Sequence, residues 1–121
     1  MIEKKTMILG ATPNSSRYAY LAATRLSDSG HTIINIGLKT GEIAGIPIQT
    51  PEIIHTGIHT IMMYINPEKQ RPLYDYILRT NPQRLIFNPV TENEELSNLA
   101  NAHGIKTETA CTLVLLSLGQ Y

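Results

Sequence analysis

The chain reads as an α/β domain of three layers, with a parallel sheet of about five strands between helices. Three observations predict this class. Short apolar or β-branched runs recur at residues 6–12, 32–36, 58–65 and 84–88, as expected of strands buried on both faces. Segments with helical spacing, start signals or stop signals separate most of these runs. Strands alternating with helices imply right-handed βαβ crossovers around one sheet.

The elements follow in order. Residues 6–12 (TMILGAT) form an apolar run closed by turn residues. Residues 17–29 predict a helix, with Tyr18, Ala22, Arg25 and Leu26 at helical spacing and Gly30 in the stop position. Residues 32–36 (TIINI) are β-branched and predict the second strand. Residues 37–51 are rich in Gly and Pro and read as irregular, with a short third strand at 46–49 and one or two helical turns at 51–55. Residues 58–65 (IHTIMMYI) predict a central strand, with Met62 and Met63 as core fillers. Asn66 as cap and Pro67 at the first turn open a helix that runs to about Thr80, where Asn81-Pro82 stops it. Residues 84–88 are the next strand. Thr91 and Glu94 have capping-box spacing and open a helix that ends at Gly104. Residues 105–108 form the last strand and residues 111–118 an apolar terminal helix.

Composition narrows the function. The 121 residues suit one domain, residues 1–121. Ten basic residues balance ten acidic ones, which disfavours nonspecific nucleic-acid binding. No apolar run is long enough to span a bilayer, and Lys4-Lys5 precedes too short a stretch to be a secretory signal. The expectation is a soluble, cytoplasmic domain. A single cysteine, Cys111, cannot form an internal disulfide or build a zinc site alone.

Parallel α/β sheets bind ligands beyond the carboxyl ends of their strands, where the strand order reverses. The first strand ends Gly10-Ala11-Thr12-Pro13-Asn14-Ser15-Ser16-Arg17. Gly10 lets a ligand or a neighbouring backbone approach, Ser15 or Ser16 can cap the helix, and the free N–H groups of its first turn attract phosphate. Arg17 can add a charged fork. An ordinary turn before a capped helix is the plainer reading of the same residues. Residues 1–41 hold five basic groups against Glu3 and Asp28, a local field that suits a polyanionic small molecule. A nicotinamide dinucleotide fits poorly, because no glycine follows Gly10 until Gly30 and no carboxylate ends the second strand. A phosphoacceptor domain fits no better, because the strand ends supply no carboxylates for Mg²⁺.

Several segments together resemble a known family. Ile8-Leu9-Gly10-Ala11-Thr12 is similar to V-V-G-A-S, with a basic residue, here Arg17, after the polar turn. Residues 33–39 are similar to a second strand that usually ends N-P-K, and Gly41-Glu42-Ile43-Ala44-Gly45 to G-E-x-I-x-G. Tyr64-Ile65-Asn66-Pro67-Glu68 is similar to F-R-x-P-E, and residues 87–93 to N-P-G-x-E-N. The set resembles the small single-domain CoA-binding proteins, relatives of the CoA-binding domain of the succinyl-CoA synthetase alpha subunit. The chain differs from the pattern at Gly37, Leu38, Ile65 and Val90. The resemblance implies a Rossmann-like fold that binds coenzyme A or an acyl-CoA. It implies that the pyrophosphate lies over Gly10, Ala11, Thr12, Asn14, Ser15 and Arg17, with Lys39 near the adenosine or its 3′-phosphate. It also implies that Tyr64, Asn66, Pro67 and Asn88 line the opposite wall.

The remaining candidates have plain readings. Cys111 opens an apolar run and reads as a structural thiol rather than a nucleophile. His55 and His59 are four apart, but Gly57 interrupts them, so a shared metal is not expected. Tyr18 and Tyr20 could stack on adenine, with packing as the default. The strand ends offer no nucleophile, base and orienting group together, so the expectation is binding without catalysis. Two alternatives stand beside it: an interaction or regulatory protein that kept the fold and lost the ligand, and a divergent NAD-binding subunit.

Overall fold

Every strand but one runs parallel to its neighbours in the computed structural model, which describes residues 2–121. The strands are β1 (Thr6–Leu9), β2 (Ile33–Ile36), β3 (Glu42–Ile43), β4 (Ile46–Gln49), β5 (Thr60–Met63), β6 (Arg84–Phe87) and β7 (Lys106–Thr109). The helices are α1 (Tyr18–Asp28), α2 (Pro67–Gln70), α3 (Tyr74–Thr80), α4 (Glu94–Ala102) and α5 (Thr112–Ser117). The sheet order is β3-β4-β2-β1-β5-β6-β7. Without the antiparallel β3, its six parallel strands have the doubly wound order 3-2-1-4-5-6. The three-layer Rossmann-like class holds, with seven strands in place of about five.

Alternation along the strands sets the two faces of the core. Met7 and Leu9, Ile61 and Met63, and Leu85 and Phe87 meet Ile77 of α3 and Leu96 and Ala100 of α4 on one side. Ile8, Met62 and Ile86 stand in register across three strands and meet Ala19, Ala23 and Leu26 of α1 on the other. Met62 and Met63 are fully buried.

Several boundaries differ from the sequence expectations, each for a local reason. The buried stripe of α1 is Ala19, Ala22, Ala23 and Leu26, so Tyr18 and Arg25 point outward. Gly30 ends α1 in a Schellman turn, its N–H donating to Ser27 and that of His31 to Leu26. The segment 37–51 contains a hairpin, in which Ala44 and Gly45 take φ of 54° and 77° and turn β3 back onto β4. No helix forms at residues 51–55, where the Tyr76 hydroxyl donates to the Ile53 carbonyl and holds the segment open. The long helix from Pro67 to Thr80 is broken, because Pro72 has no N–H for the Glu68 carbonyl and a 3-10 turn (Arg71–Leu73) results. Thr91 does not cap α4. Its hydroxyl donates to the Asn88 carbonyl at 2.7 Å, and Asn93 caps instead through Leu96 N. No helix among the described residues is long and apolar enough to cross a membrane.

Candidate functional site

The strand order reverses between β1 and β5. The chain leaves β1 toward α1 on one face and leaves β5 toward α2 and α3 on the other, so the two loops part and open a crevice at the carboxyl edge. The loop after β1 is wedged between its neighbours. Gly10 has φ +105°, and a Cβ on it would lie 2.9 Å from the Tyr64 carbonyl carbon and oxygen and 2.8 Å from Ile65 Cγ2. A Cβ on Gly37 would lie 2.2 Å from the Ala11 carbonyl oxygen. The departure from the family pattern at Gly37 therefore has a packing reason: β2 passes too close to Ala11 for any side chain.

The amide accounting corrects the expected phosphate cradle. The N–H groups of Gly10 and Ala11 both donate to the Ile36 carbonyl at 2.9 Å, so neither is free for a ligand. Neither Ser15 nor Ser16 caps α1. Asn14 Oδ1 accepts from Ser16 N and Ser16 Oγ, the Asn14 carbonyl accepts from Arg17 N, and the helix starts one residue later than a serine cap would set it. Arg17 occupies the N-cap position with no side-chain cap. Among the described residues, the N–H groups of Thr12, Ser15, Tyr18, Ala19 and Tyr20 have no hydrogen-bond partner. Of the expected donors, Thr12, Ser15 and the first turn of α1 therefore remain, and Gly10 and Ala11 drop out.

Around these donors Asn14, Ser15, Arg17 and Tyr18 are exposed and Thr12 is half-buried. Tyr20 packs against the α1 side of the core, whereas Tyr18 is 72% exposed and does not pack. Lys39 is exposed just beyond β2, one strand over on the same edge. Among the described residues neither Arg17 nor Lys39 has a carboxylate partner. Across the crevice, Asn66 is exposed and caps α2 through Lys69 N, with Pro67 in its first turn. Tyr64 is half-buried against the α1 side of the core. Burial pushes its phenol up to about 12, with the Thr112 hydroxyl acting in the opposite direction.

Asn88 is the expected wall residue that does not stand open. It is 2% exposed; Nδ2 donates to the Met63 carbonyl, and Oδ1 accepts from both Thr112 N and Thr112 Oγ1 at 2.9 Å. It ties β5, β6 and α5 together and leaves no acceptor toward the crevice. Sequence reading also missed Gln70, which is fully buried and bonds the Ile65 and Thr91 carbonyls at 2.8 Å. Asn93 closes this network by donating to Gln70 Oε1 and the Tyr74 hydroxyl oxygen. The signal was present: Gln70 falls on the inward stripe of Leu73, Tyr74 and Ile77, where a polar residue needs partners.

Val90, in the loop after β6, is 85% exposed at φ 65°, a strained setting for a β-branched residue. Val90→Gly should raise the free energy of unfolding by about 1 kcal/mol, the relieved strain exceeding the entropy of the added glycine. Urea unfolding checks this, and a loss of stability would mean that the valine side chain supports the loop.

Cys111 is half-buried at the N-cap position of α5. His55 pairs with Gln49 and His59 with Thr60, and no group of three or more His, Cys, Asp or Glu side chains converges among the described residues. Two depressions of about 250 and 340 Å³ lie away from the crevice, one beside Glu92 and Glu108 and one beside His31 and Tyr121.

Comparison with known proteins adds a family match and several structural matches. A family model described as CoA binding domain matches residues 4–117. A crystal structure of a protein described as uncharacterized superposes with a TM-score of 0.97 at 49% identity, covering 100% of both chains. A Thermus thermophilus structure superposes at 0.86 with 15% identity, covering 98% of this chain and 91% of the other. A hypothetical protein from Pyrococcus horikoshii OT3 does so at 0.82 with 20% identity, covering 93% and 80%. The last two show the fold alone. No curated protein matches the chain.

Proposed function

Because the chain belongs to the CoA binding domain family, we propose that it binds coenzyme A or an acyl-CoA at the β1–β5 crevice and catalyses no reaction by itself. What carries this reading is the first turn of α1, uncapped and preceded by Arg17, at the point where the strand order reverses. Free amides and a guanidinium without a carboxylate partner form an anion site in which no hydrogen bond must first be broken. The pyrophosphate would lie against the free donors of Thr12, Ser15 and residues 18–20, and Lys39 would take the 3′-phosphate. Tyr64, Asn66 and Pro67 would bound the far side, with Asn88 holding them from behind. Residues 10–18, 37–41 and 64–67 contain no His, Asp, Glu or Cys, so no imidazole or carboxylate stands there to activate Ser15 or Ser16, which supports binding without chemistry.

Isothermal titration against CoA, dephospho-CoA and NAD tests the proposal. CoA should bind more tightly than dephospho-CoA, and NAD weakly. Heat with none of the three would favour the interaction-protein reading, in which Tyr18, Leu38 and Val90, exposed on this edge, contact a protein instead. Arg17→Ala should weaken CoA binding about tenfold, the value of one charge-assisted contact. Its unfolding free energy should stay within about 0.5 kcal/mol of the parent, since the side chain is exposed. Equal loss of stability and affinity would make Arg17 structural.

A further inference from the structure

At the amino edge of the sheet, opposite the crevice, Tyr121 is held by groups from several elements. The Tyr121 ring has Lys4 Nζ 5.3 Å from its centroid and Arg84 Cζ at 4.9 Å, while His31 meets it edge-on at 5.2 Å and 70°. Lys4 Nζ also donates to the Tyr121 main-chain oxygen. The Tyr121 hydroxyl is 2.5 Å from Thr6 Oγ1. Thr6 gives its own proton to the Lys4 carbonyl, so the phenol is the donor. His31 is nine-tenths buried, and its Nδ1 accepts the Lys4 backbone N–H at 2.9 Å. That bond needs a lone pair on Nδ1, and so a neutral ring with its proton on Nε2.

We propose that His31 is a pH-sensitive latch on residues 118–121, holding them to the amino edge while its ring is neutral and releasing them once Nδ1 takes a proton. The charges around it explain the direction. Lys4 and Glu3 come from the segment before β1, Arg84 from β6, Glu108 from β7, and His59 precedes β5. Glu108 pairs with Arg84, while Glu3 accepts from Thr32, so Lys4 has no side-chain carboxylate partner among the described residues. A proton on His31 therefore adds positive charge beside Lys4 and turns Nδ1 into a donor that faces the Lys4 N–H. Burial, and then Lys4, holds the His31 pKa below its ordinary value, with Glu3 opposing. His59 is lowered by burial, then by Arg84, Lys4 and His31. The released state therefore binds more protons than the latched one. The latch is intact above the free-imidazole range of about 6.5 and weakens as pH falls below it.

The consequence reaches α5. Gln120 N donates to the Leu115 carbonyl and Leu118 N to Val114, so the latched segment closes the end of the helix whose other end Asn88 holds. Amide hydrogen exchange of the full chain tests the latch. Corrected for intrinsic rates, Leu118, Gly119 and Gln120 should exchange about tenfold faster at about pH 5 than at about pH 7.5, with β5 unchanged. In His31→Asn, whose Oδ1 can replace Nδ1 as acceptor without titrating, the pH difference should vanish. Tyr121→Ala should open the same amides at both pH values while β5 stays protected. No acceleration in the parent, or an undiminished one in His31→Asn, overturns the proposal. In the parent chain the His31 ring titration followed by NMR should share its midpoint with the loss of protection. Midpoints separated by more than about one pH unit overturn it as well.

Discussion

Gly10→Ala should lower the free energy of unfolding by about 3 kcal/mol and remove measurable CoA binding. Two penalties combine. At φ +105° an alanine is strained, and its Cβ would meet the carbonyl of Tyr64 at 2.9 Å. The obstructing atoms are backbone, so relief requires moving the end of β5 or the start of the β1 loop. Either shift changes the spacing between Arg17 and the Tyr64–Asn66 wall, which is why stability and affinity should fall together. Urea unfolding followed by circular dichroism and titration with CoA measure the pair. The contrast with Arg17→Ala is diagnostic: there affinity falls alone. An unfolding midpoint unchanged in Gly10→Ala would mean that the two strand ends do not touch, and the crevice would then lack the fixed width that CoA binding requires.

The parts of the fold set by local hydrophobic pattern were legible in the sequence. Runs such as residues 58–65 and 84–88 are apolar enough to be central strands, and Gly30 and Gly104 stop helices where expected. The parts that depend on distant partners were not. Thr91 has capping-box spacing, but Asn88 takes its hydroxyl before α4 can. Hairpin strand β3 has only two residues, too few for a periodic signal, and was hidden in a stretch of Gly and Pro. The start signal at Asn66-Pro67 and the stop at Asn81-Pro82 read as one helix, which the missing N–H of Pro72 breaks inside. The expected reversal of strand order was legible from the alternation of strands and helices, and it falls between β1 and β5. The free amides around it were legible only in part, since Thr12, Ser15 and the first turn of α1 keep theirs and Gly10 and Ala11 do not. The Gly10 and Ala11 amides are claimed by the carbonyl of Ile36, more than twenty residues away in the chain, and no local pattern records that.

Asn88 carries the second large expectation. Asn88→Ala should cost about 3 kcal/mol, because it leaves the Met63 carbonyl and the Thr112 N–H without a partner in a site only 2% exposed, and leaves the Thr112 hydroxyl only the weak acceptor Met62 Sδ. Asn88→Asp separates the donor from the acceptor roles. Both Thr112 bonds can persist, since they need only an oxygen, but the bond to Met63 becomes an encounter of two oxygens when the carboxylate is charged. Burial and that repulsion raise the pKa of the introduced carboxyl above the usual value of about 3.9, so the native state binds a proton that the unfolded chain releases. The sign follows: relative to the parent at the same pH, the variant is least impaired below about pH 4 and loses stability as pH rises through the raised value. Paired urea titrations of variant and parent at several pH values read this difference and cancel the contributions of His31 and His59, which both chains share. A deficit independent of pH would show that the Asn88 amide does not donate to Met63. The junction of β5, β6 and α5 would then depend on the Thr112 contacts alone, and the crevice wall would have no fixed support behind Tyr64.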